Sequence, residues 1–386
     1  MEGSPVQALD RPLLIGSEIY RRSTYGSGHP LAIPRVSTAI DLCRALGWLP
    51  AEHYMDSPRA TPAELARFHE PDYVAALQAA EARQEVGAEA RERFNIGVNG
   101  NPVFPEIFSR PATACGASIL AARLLAEATV LPATVYSPAG GTHHGRPGRA
   151  SGFCYFNDPV LAILGLLDRG LERVFYLDLD AHHGDGVQDA FAADARVFTL
   201  SIHEGGRWPM RPRDWIGPGG LADRAGGAAR NLPVPEGFND SELAWLVEAA
   251  VLPLVERFQP QALVVQCGAD ALEDDPQSRL SLSNGALWQA LAAVLPSAPR
   301  RLVLGGGGYN PWSVGRAWAG VWATVNGFEV PERLPAEAEA VLRALDWRHR
   351  RAKDPPPRWF TTLADPPRPG PVRETIRAAA RAVLEA

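Results

Sequence analysis

Leu177-Asp178-Leu179-Asp180-Ala181-His182-His183-Gly184-Asp185-Gly186 follows directly on an apolar strand, Val174–Leu177. Side chains alternate along an extended chain, so Asp178, Asp180 and His182 share one face. A carboxylate and an imidazole two residues apart can reach one cation together. Neutral imidazole and carboxylate oxygen are suitable zinc ligands, and a catalytic site takes three protein ligands plus an open position. A lone Asp or His at a strand end is ordinarily a cap or a loop hydrogen-bonder. Four ionisable groups crowded behind a buried strand are different, because leaving them unpaired beside a core is costly. The segment reads as a metal site.

Working outward, short apolar runs alternate with longer amphipathic stretches, the pattern of βα units around a parallel sheet. The expected strands are Ala133–Tyr136, Arg173–Asp178, Val197–Ile202, Ala262–Cys267 and Arg301–Leu304. Each ends in Gly, His, Asp or Ser, where open parallel sheets place ligand-binding loops. The expected helices are Arg35–Leu46, Pro111–Ala128, Pro159–Arg169, Ser241–Phe258, Gly285–Leu295 and Pro311–Val325. Thr61, Pro62 and Glu64 form a capping-box start with proline at the first helical position. Ser201–Pro235, rich in Gly, Pro, Arg and Trp, is expected to be a long surface loop. The proline-rich tail Asp354–Pro371 should run extended and end in a helix, Val372–Leu384. No internal repeat or second domain is visible, so residues 1–386 read as one domain, with a core of about 20–325 and an extension over 326–386.

Composition limits the function classes. The chain has 386 residues, is 46% hydrophobic and carries a net charge of −6 with Lys and Arg scattered, so no basic footprint for nucleic acid is expected. Cys43, Cys115, Cys154 and Cys267 form no close pairs and read as reduced, buried residues. The N-terminal stretch lacks a basic start and a long apolar core, and no run approaches ~18 apolar residues. The expectation is a cytoplasmic protein with no membrane partner. A homo-oligomer stays open, since the tail could dock on a second subunit.

Three further segments carry chemistry. Gln266-Cys267-Gly268-Ala269-Asp270 follows a strand and offers Asp270 as the missing carboxylate, although Asp after a strand is often a helix cap. Gly140-Gly141-Thr142-His143-His144-Gly145 places a second His–His pair behind another strand, beside glycines that let the backbone bend tightly. Gly305-Gly306-Gly307-Gly308-Tyr309-Asn310 fits neither a P-loop nor a dinucleotide fingerprint. It reads as a mobile loop presenting the Tyr309 hydroxyl, or as a plain setting for a buried ring.

Together these segments resemble the histone deacetylase superfamily, including its bacterial acetoin-utilisation and acetylpolyamine deacetylase members. The motifs in order are GGTHHG, ASGFCYFND, YLDLDAHHGDGVQDAF, FTLSIH, QCGAD and GGGGY, with GHPLAIPR at Gly28–Arg35 and RFHEPDYV at Arg67–Val74. The likeness runs from about Tyr20 to Gly320. It implies an arginase-like α/β domain with a central parallel sheet of about eight strands. It also implies zinc on Asp180, His182 and Asp270, and a zinc-dependent deacetylase acting on acetyl-lysine or another acylated amine. His144 would be general base and then acid, with His143 assisting. Asp178 and Asp185 would orient His143 and His144 respectively, and Tyr309 would donate to the developing oxyanion. A monovalent cation, K+ or Na+, is implied at Asp178, Asp180, His182, Ser201 and Ile202. Gly152 and Phe153 match one wall of the family's acyl-lysine tunnel, and Trp208 stands where many relatives carry Phe.

The rim departs from the eukaryotic pattern. Relatives there hold the substrate backbone with an acidic residue, and this chain offers Asn99 or Asn101, with one extra residue before the proline. An amide accepts two N–H groups less strongly than a carboxylate, so small acylated amines compete with acyl-lysine proteins as substrate. Two rivals stand beside the deacetylase reading. A binuclear-manganese ureohydrolase shares the implied fold and the Asp180-Ala181-His182 motif, but Ala271-Leu272 after Asp270 supplies no second metal carboxylate. A catalytically inactive binding module of the same fold would keep the metal only as a scaffold, yet His143, His144 and Tyr309 are all present.

Overall fold

The computed structural model describes residues 9–23, 25–26, 28–211 and 217–385. Among them eight strands form one parallel sheet: β1 (Leu13–Gly16), β2 (Tyr54–Asp56), β3 (Ala133–Ser137), β4 (Val174–Asp178), β5 (Val197–Glu204), β6 (Ala229–Val234), β7 (Ala262–Gln266) and β8 (Arg300–Leu304). Their order is β2-β1-β3-β8-β7-β4-β5-β6. A parallel sheet needs cover on both faces, and alternate strand residues enter two cores. Leu14, Tyr136, Phe175, Leu177, Leu263, Val265 and Val303 pack on one side. Ile15, Val135, Val174, Tyr176, Val264, Leu302 and Leu304 pack on the other. Helices Val36–Ala45, Asn284–Val294 and Pro311–Asn326 cover the first face, and Ser109–Glu127 and Asp158–Leu167 the second.

The five expected strands are present, with ends shifted by a residue or two. The expected loop Ser201–Pro235 is corrected at both ends: β5 continues to Glu204, and β6 occupies Ala229–Val234. Its residues 212–216 lie outside the described residues, as do residues 1–8 of the stretch examined for a leader. The helix expected over Ser241–Phe258 instead widens into a π turn at Val247–Val251. Pro253, just beyond, lacks an N–H and cannot continue the regular ladder. The Thr61 capping box forms, but it opens a single turn, Pro62–Leu65.

The tail crosses the core before ending in the helix Glu374–Leu384. Fully buried Arg316 donates to Asp365 at 2.7 Å, and Arg373 donates to Glu242 at 2.6 Å. Arg224, Arg230 and Arg257 donate to the carbonyls of Ala382, Val383 and Leu384, the negative end of that helix dipole. The helix thereby covers edge strand β6. All four cysteines are buried free thiols. Among the described residues, no helix is long and apolar enough to cross a membrane.

Candidate active site

The C-terminal ends of β3, β4, β7 and β8 adjoin in the sheet, and the four chemical segments leave from them. Asp180, His182 and Asp270 converge there, each offering a ligand atom within 4.8 Å of the others. His182 Nδ1 lies 2.9 Å from Asp270 Oδ2 and 3.2 Å from Asp180 Oδ1. Backbone N–H groups aim both carboxylates: Gly307 donates to Asp180 at 2.6 Å, and Ala181 donates to Asp270 at 2.9 Å. A Cβ on Gly307 or Gly268 would strike one of these carboxylates, which accounts for glycine at both places.

The glycine run lets the backbone come close to these groups, and the Tyr309 that follows it is buried. The run's backbone packs on the carboxylates, and Arg35 donates to the Gly306 carbonyl at 2.7 Å. Burial raises the Asp270 carboxyl, and the neighbouring Asp180 charge raises it further. Two acids that resist sharing charge, completed by an imidazole, form a donor set suited to a divalent cation such as zinc.

His143 and His144 lie beside this trio. His143 Nδ1 is 2.7 Å from Asp178 Oδ2, and His144 Nδ1 is 2.7 Å from Asp185 Oδ1. Their rings are 3.9 Å apart, yet their environments differ. Burial works to lower the His143 pKa, but Asp178 and Asp180 overcome it and push the value up to about 9. Burial and then repulsion from His143 bring His144 down to about 4. The two adjacent imidazoles are thus biased in opposite senses, His143 toward its charged form and His144 toward its neutral one. The strand ends at Asp178, so Asp180 lies in the bend beyond it, and the Asp178 carboxylate serves His143 and also accepts from the Tyr176 hydroxyl at 2.8 Å. His183 turns away to Gln188 and His203.

A cavity of about 910 Å³ opens above, bordered by His144, His182, Phe153, Trp208 and Tyr309. Tyr309 is buried, and its backbone N–H donates to Asp275 at 2.6 Å. Burial, reinforced by the Asp270 charge, raises its hydroxyl pKa, so the phenol stays a donor. Phe153 faces Tyr309 edge-on at 5.9 Å, and Trp208, 48% exposed, meets the His144 ring at 4.7 Å. A Cβ on Gly152 would run into the Trp208 and His144 rings. Asn99 is exposed, whereas Asn101 borders the cavity with its side chain buried. Ser201 lies opposite Asp178 in the β4–β5 register, its hydroxyl 2.8 Å from His203 Nδ1, and the Ile202 side chain is buried in the core.

Several supports were not visible in the sequence. Asp158, fully buried, accepts from Ser118 Oγ (2.6 Å), Thr142 Oγ1 (2.5 Å) and the Thr142 N–H (2.8 Å), pinning the turn before the histidine pair. Asp158 closes the ASGFCYFND motif, but nothing local to it pointed to this role. Asp275 gave no local signal, because the Tyr309 N–H it accepts is distant in the chain, whereas Tyr176 lies two residues before its partner Asp178. At the mouth, buried Glu204 pairs with Arg207 and accepts the Arg279 N–H at 2.9 Å.

A sequence model described as "Histone deacetylase domain" matches residues 29–325. The chain is 38% identical to Histone deacetylase 3 of Oryza sativa subsp. japonica, over 81% of its own length and 60% of that protein's. It is 33% identical to Histone deacetylase 1 of Homo sapiens, covering 81% of this chain and 64% of that one. It thus spans about 60% of the length of such relatives. A crystal structure of an HDAC homolog from Aquifex aeolicus superposes with a TM-score of 0.89 at 35% identity, covering 97% of this chain and 100% of that one. A crystal structure of an HDAC homolog complexed with SAHA matches equally well. With this fold, and with these carboxylates and imidazoles gathered at the strand ends, the chain belongs to the histone deacetylase family.

Proposed function

We propose that the protein is a zinc-dependent deacylase that hydrolyses the N-acyl amide of an acetyl-lysine side chain or an acetylated amine. The observation that carries this reading is the convergence of Asp180, His182 and Asp270 beside two histidines, each bound to its own aspartate, in a cavity that Tyr309 also borders. Zinc held by the trio would polarise the amide carbonyl and lower the pKa of water to about 7. The manganese and inactive-module alternatives gain no comparable support.

The protein's own groups divide the remaining work. Asp185 accepts from His144 Nδ1, which leaves Nε2 with its lone pair. His144 Nε2 takes a proton from the attacking water as the water oxygen bonds to the acyl carbon. It returns that proton to the amine nitrogen as the C–N bond breaks, giving a carboxylic acid and an amine, which become carboxylate and ammonium by proton transfer between them. A general base of this kind is worth about 10²–10⁴ in rate. His143, hydrogen-bonded to Asp178, assists from beside it. The Tyr309 hydroxyl donates to the oxyanion. Gly152, Phe153 and Trp208 flank the acyl chain. Asp178, Asp180, His182, Ser201 and Ile202, at adjoining ends of β4 and β5, would hold a K+ or Na+ ion that neutralises the buried aspartates.

The substrate class is an acylated amine or acyl-lysine. The exposed Asn99 carries no charge, and the nearby mouth is balanced by Arg207, Arg279, Glu204 and Glu236. Such a rim favours neither a strongly basic peptide nor nucleic acid. Residues 1–386 would act as one cytoplasmic domain, with 326–386 packed on a core of about 20–325.

The test is turnover of an acetyl-lysine peptide set and an acetylpolyamine set by the zinc-loaded protein, its chelated form and the H144A variant. Activity lost on chelation, restored by zinc and abolished in H144A is expected. Activity that survives chelation contradicts the mechanism.

A further inference from the structure

The turn Ser151–Cys154 has an unusual backbone. Ser151 and Cys154 exchange N–H···O bonds of 3.0 and 2.8 Å. The residues between them, Gly152 (φ 53°) and Phe153 (φ 68°), both occupy the left-handed region. A two-residue hairpin turn of this kind needs positive φ at both centres and ordinarily recruits Gly, Asn or Asp. Gly152 is required by the crowding of Trp208 and His144 around it. A phenylalanine with positive φ is an outlier, and such residues persist only where their surroundings over-determine them.

Asn101 supplies the restraint. Its side chain is 2% exposed, although the residue borders the cavity. Oδ1 accepts the Phe153 N–H at 3.1 Å, and Nδ2 donates to the Asn95 carbonyl at 3.2 Å. Asn95 Nδ2 donates in turn to the Ala150 carbonyl at 2.8 Å, and the Ala150 N–H donates to Phe94 at 2.9 Å. These bonds lace segment 94–101 to the turn. The Phe153 ring is then held edge-on to His29 (4.6 Å) and Tyr309 (5.9 Å). Both ends of the Asn101 amide are engaged inside the protein, so it does not take the rim carboxylate's place.

We infer that Asn101 is a positioning residue that sets acyl-chain selectivity: by holding Phe153 in a left-handed conformation, it fixes the ring that narrows the passage to the metal trio. The inference deepens the deacylase reading and rests on it for its kinetic arm. Alanine removes both hydrogen bonds and lets the turn relax to negative φ at Phe153. Aspartate keeps an acceptor for the Phe153 N–H while giving up the bond to the Asn95 carbonyl.

The experiment compares zinc-loaded wild type, N101A and N101D on one peptide carrying acetyl-lysine or butyryl-lysine, with a crystal structure of each. In N101A the KM for the acetyl peptide should rise about 10-fold while kcat stays within about 3-fold, and relative kcat/KM should shift toward butyryl by about 10-fold. N101D should remain within about 3-fold of the wild-type ratio. In an F153G background, N101A should leave the ratio unchanged. Should N101A fail to fold, N101S, whose hydroxyl is too short to reach the Phe153 N–H, carries the same test. An unaltered acyl ratio in these variants, or Phe153 still left-handed in the N101A crystal, overturns the inference. If the wild type hydrolyses no acyl-lysine, the deacylase reading fails, and the Phe153 conformation in N101A alone decides the role of Asn101.

Discussion

Acidification should loosen this protein through His69. This ring is buried between the helix Pro71–Arg83 and the turn bearing the histidine pair. Its Nε2 accepts the Asn157 N–H at 3.0 Å, and its Nδ1–H donates to the Arg146 carbonyl at 3.0 Å. Asn157 donates in turn to the carbonyls of His143 and Gly145. Protonating Nε2 removes the acceptor that holds Asn157, and burial resists the charge, so the folded pKa falls from 6.5 to about 4. A depressed folded value means the stabilisation is complete above pH 6.5 and is lost as pH falls through 4. The full difference corresponds to about 3 kcal/mol, most of which is gone by pH 4.5. Urea unfolding at pH 7.5 and 4.5 would be compared between wild type and H69Q, which can donate and accept but does not titrate. The wild type should lose about 2–3 kcal/mol more than the variant between the two conditions. Other acids titrate equally in both proteins and cancel. Equal losses would refute the argument.

Two further outcomes follow from named contacts. Y309F should reduce kcat about 10²–10³-fold with little change in KM, because its hydroxyl acts on charge that develops in the transition state; steady-state kinetics on an acetyl-lysine peptide checks this, and a purely raised KM would contradict it. D365A strands fully buried Arg316 without its carboxylate and should cost about 3–5 kcal/mol, read by urea or thermal unfolding; a change below about 1 kcal/mol would mean the tail contributes little to the core.

The parts of the fold written in local pattern were legible. β3, β4, β5, β7 and β8 are largely apolar runs, because both faces of a central parallel strand are buried. Edge strands hide better. β6 reads Ala-Arg-Asn-Leu-Pro-Val, and its Arg230 is buried only because the distant C-terminal helix lies over it. β2 is three residues long, too short for any periodicity to register. The metal trio was legible because Asp180 and His182 share a strand end and Asp270 follows another. The roles of Asp158, Asp275 and Asn101 were not, since each is defined by backbone N–H groups brought to it from elsewhere in the chain. The use of the glycine run was hidden for the same reason: it lets carboxylates approach, and those carboxylates lie on β4 and β7 loops.

The central claim is that Asp180, His182 and Asp270 bind one metal ion. Zinc content of purified protein, measured by mass spectrometry after dialysis, tests it most directly alongside D180A, H182A and D270A. One zinc per wild-type chain, and a large loss of affinity in each variant whose far-ultraviolet circular dichroism is unchanged, is predicted. Retention of one tightly bound zinc by all three variants would contradict the account.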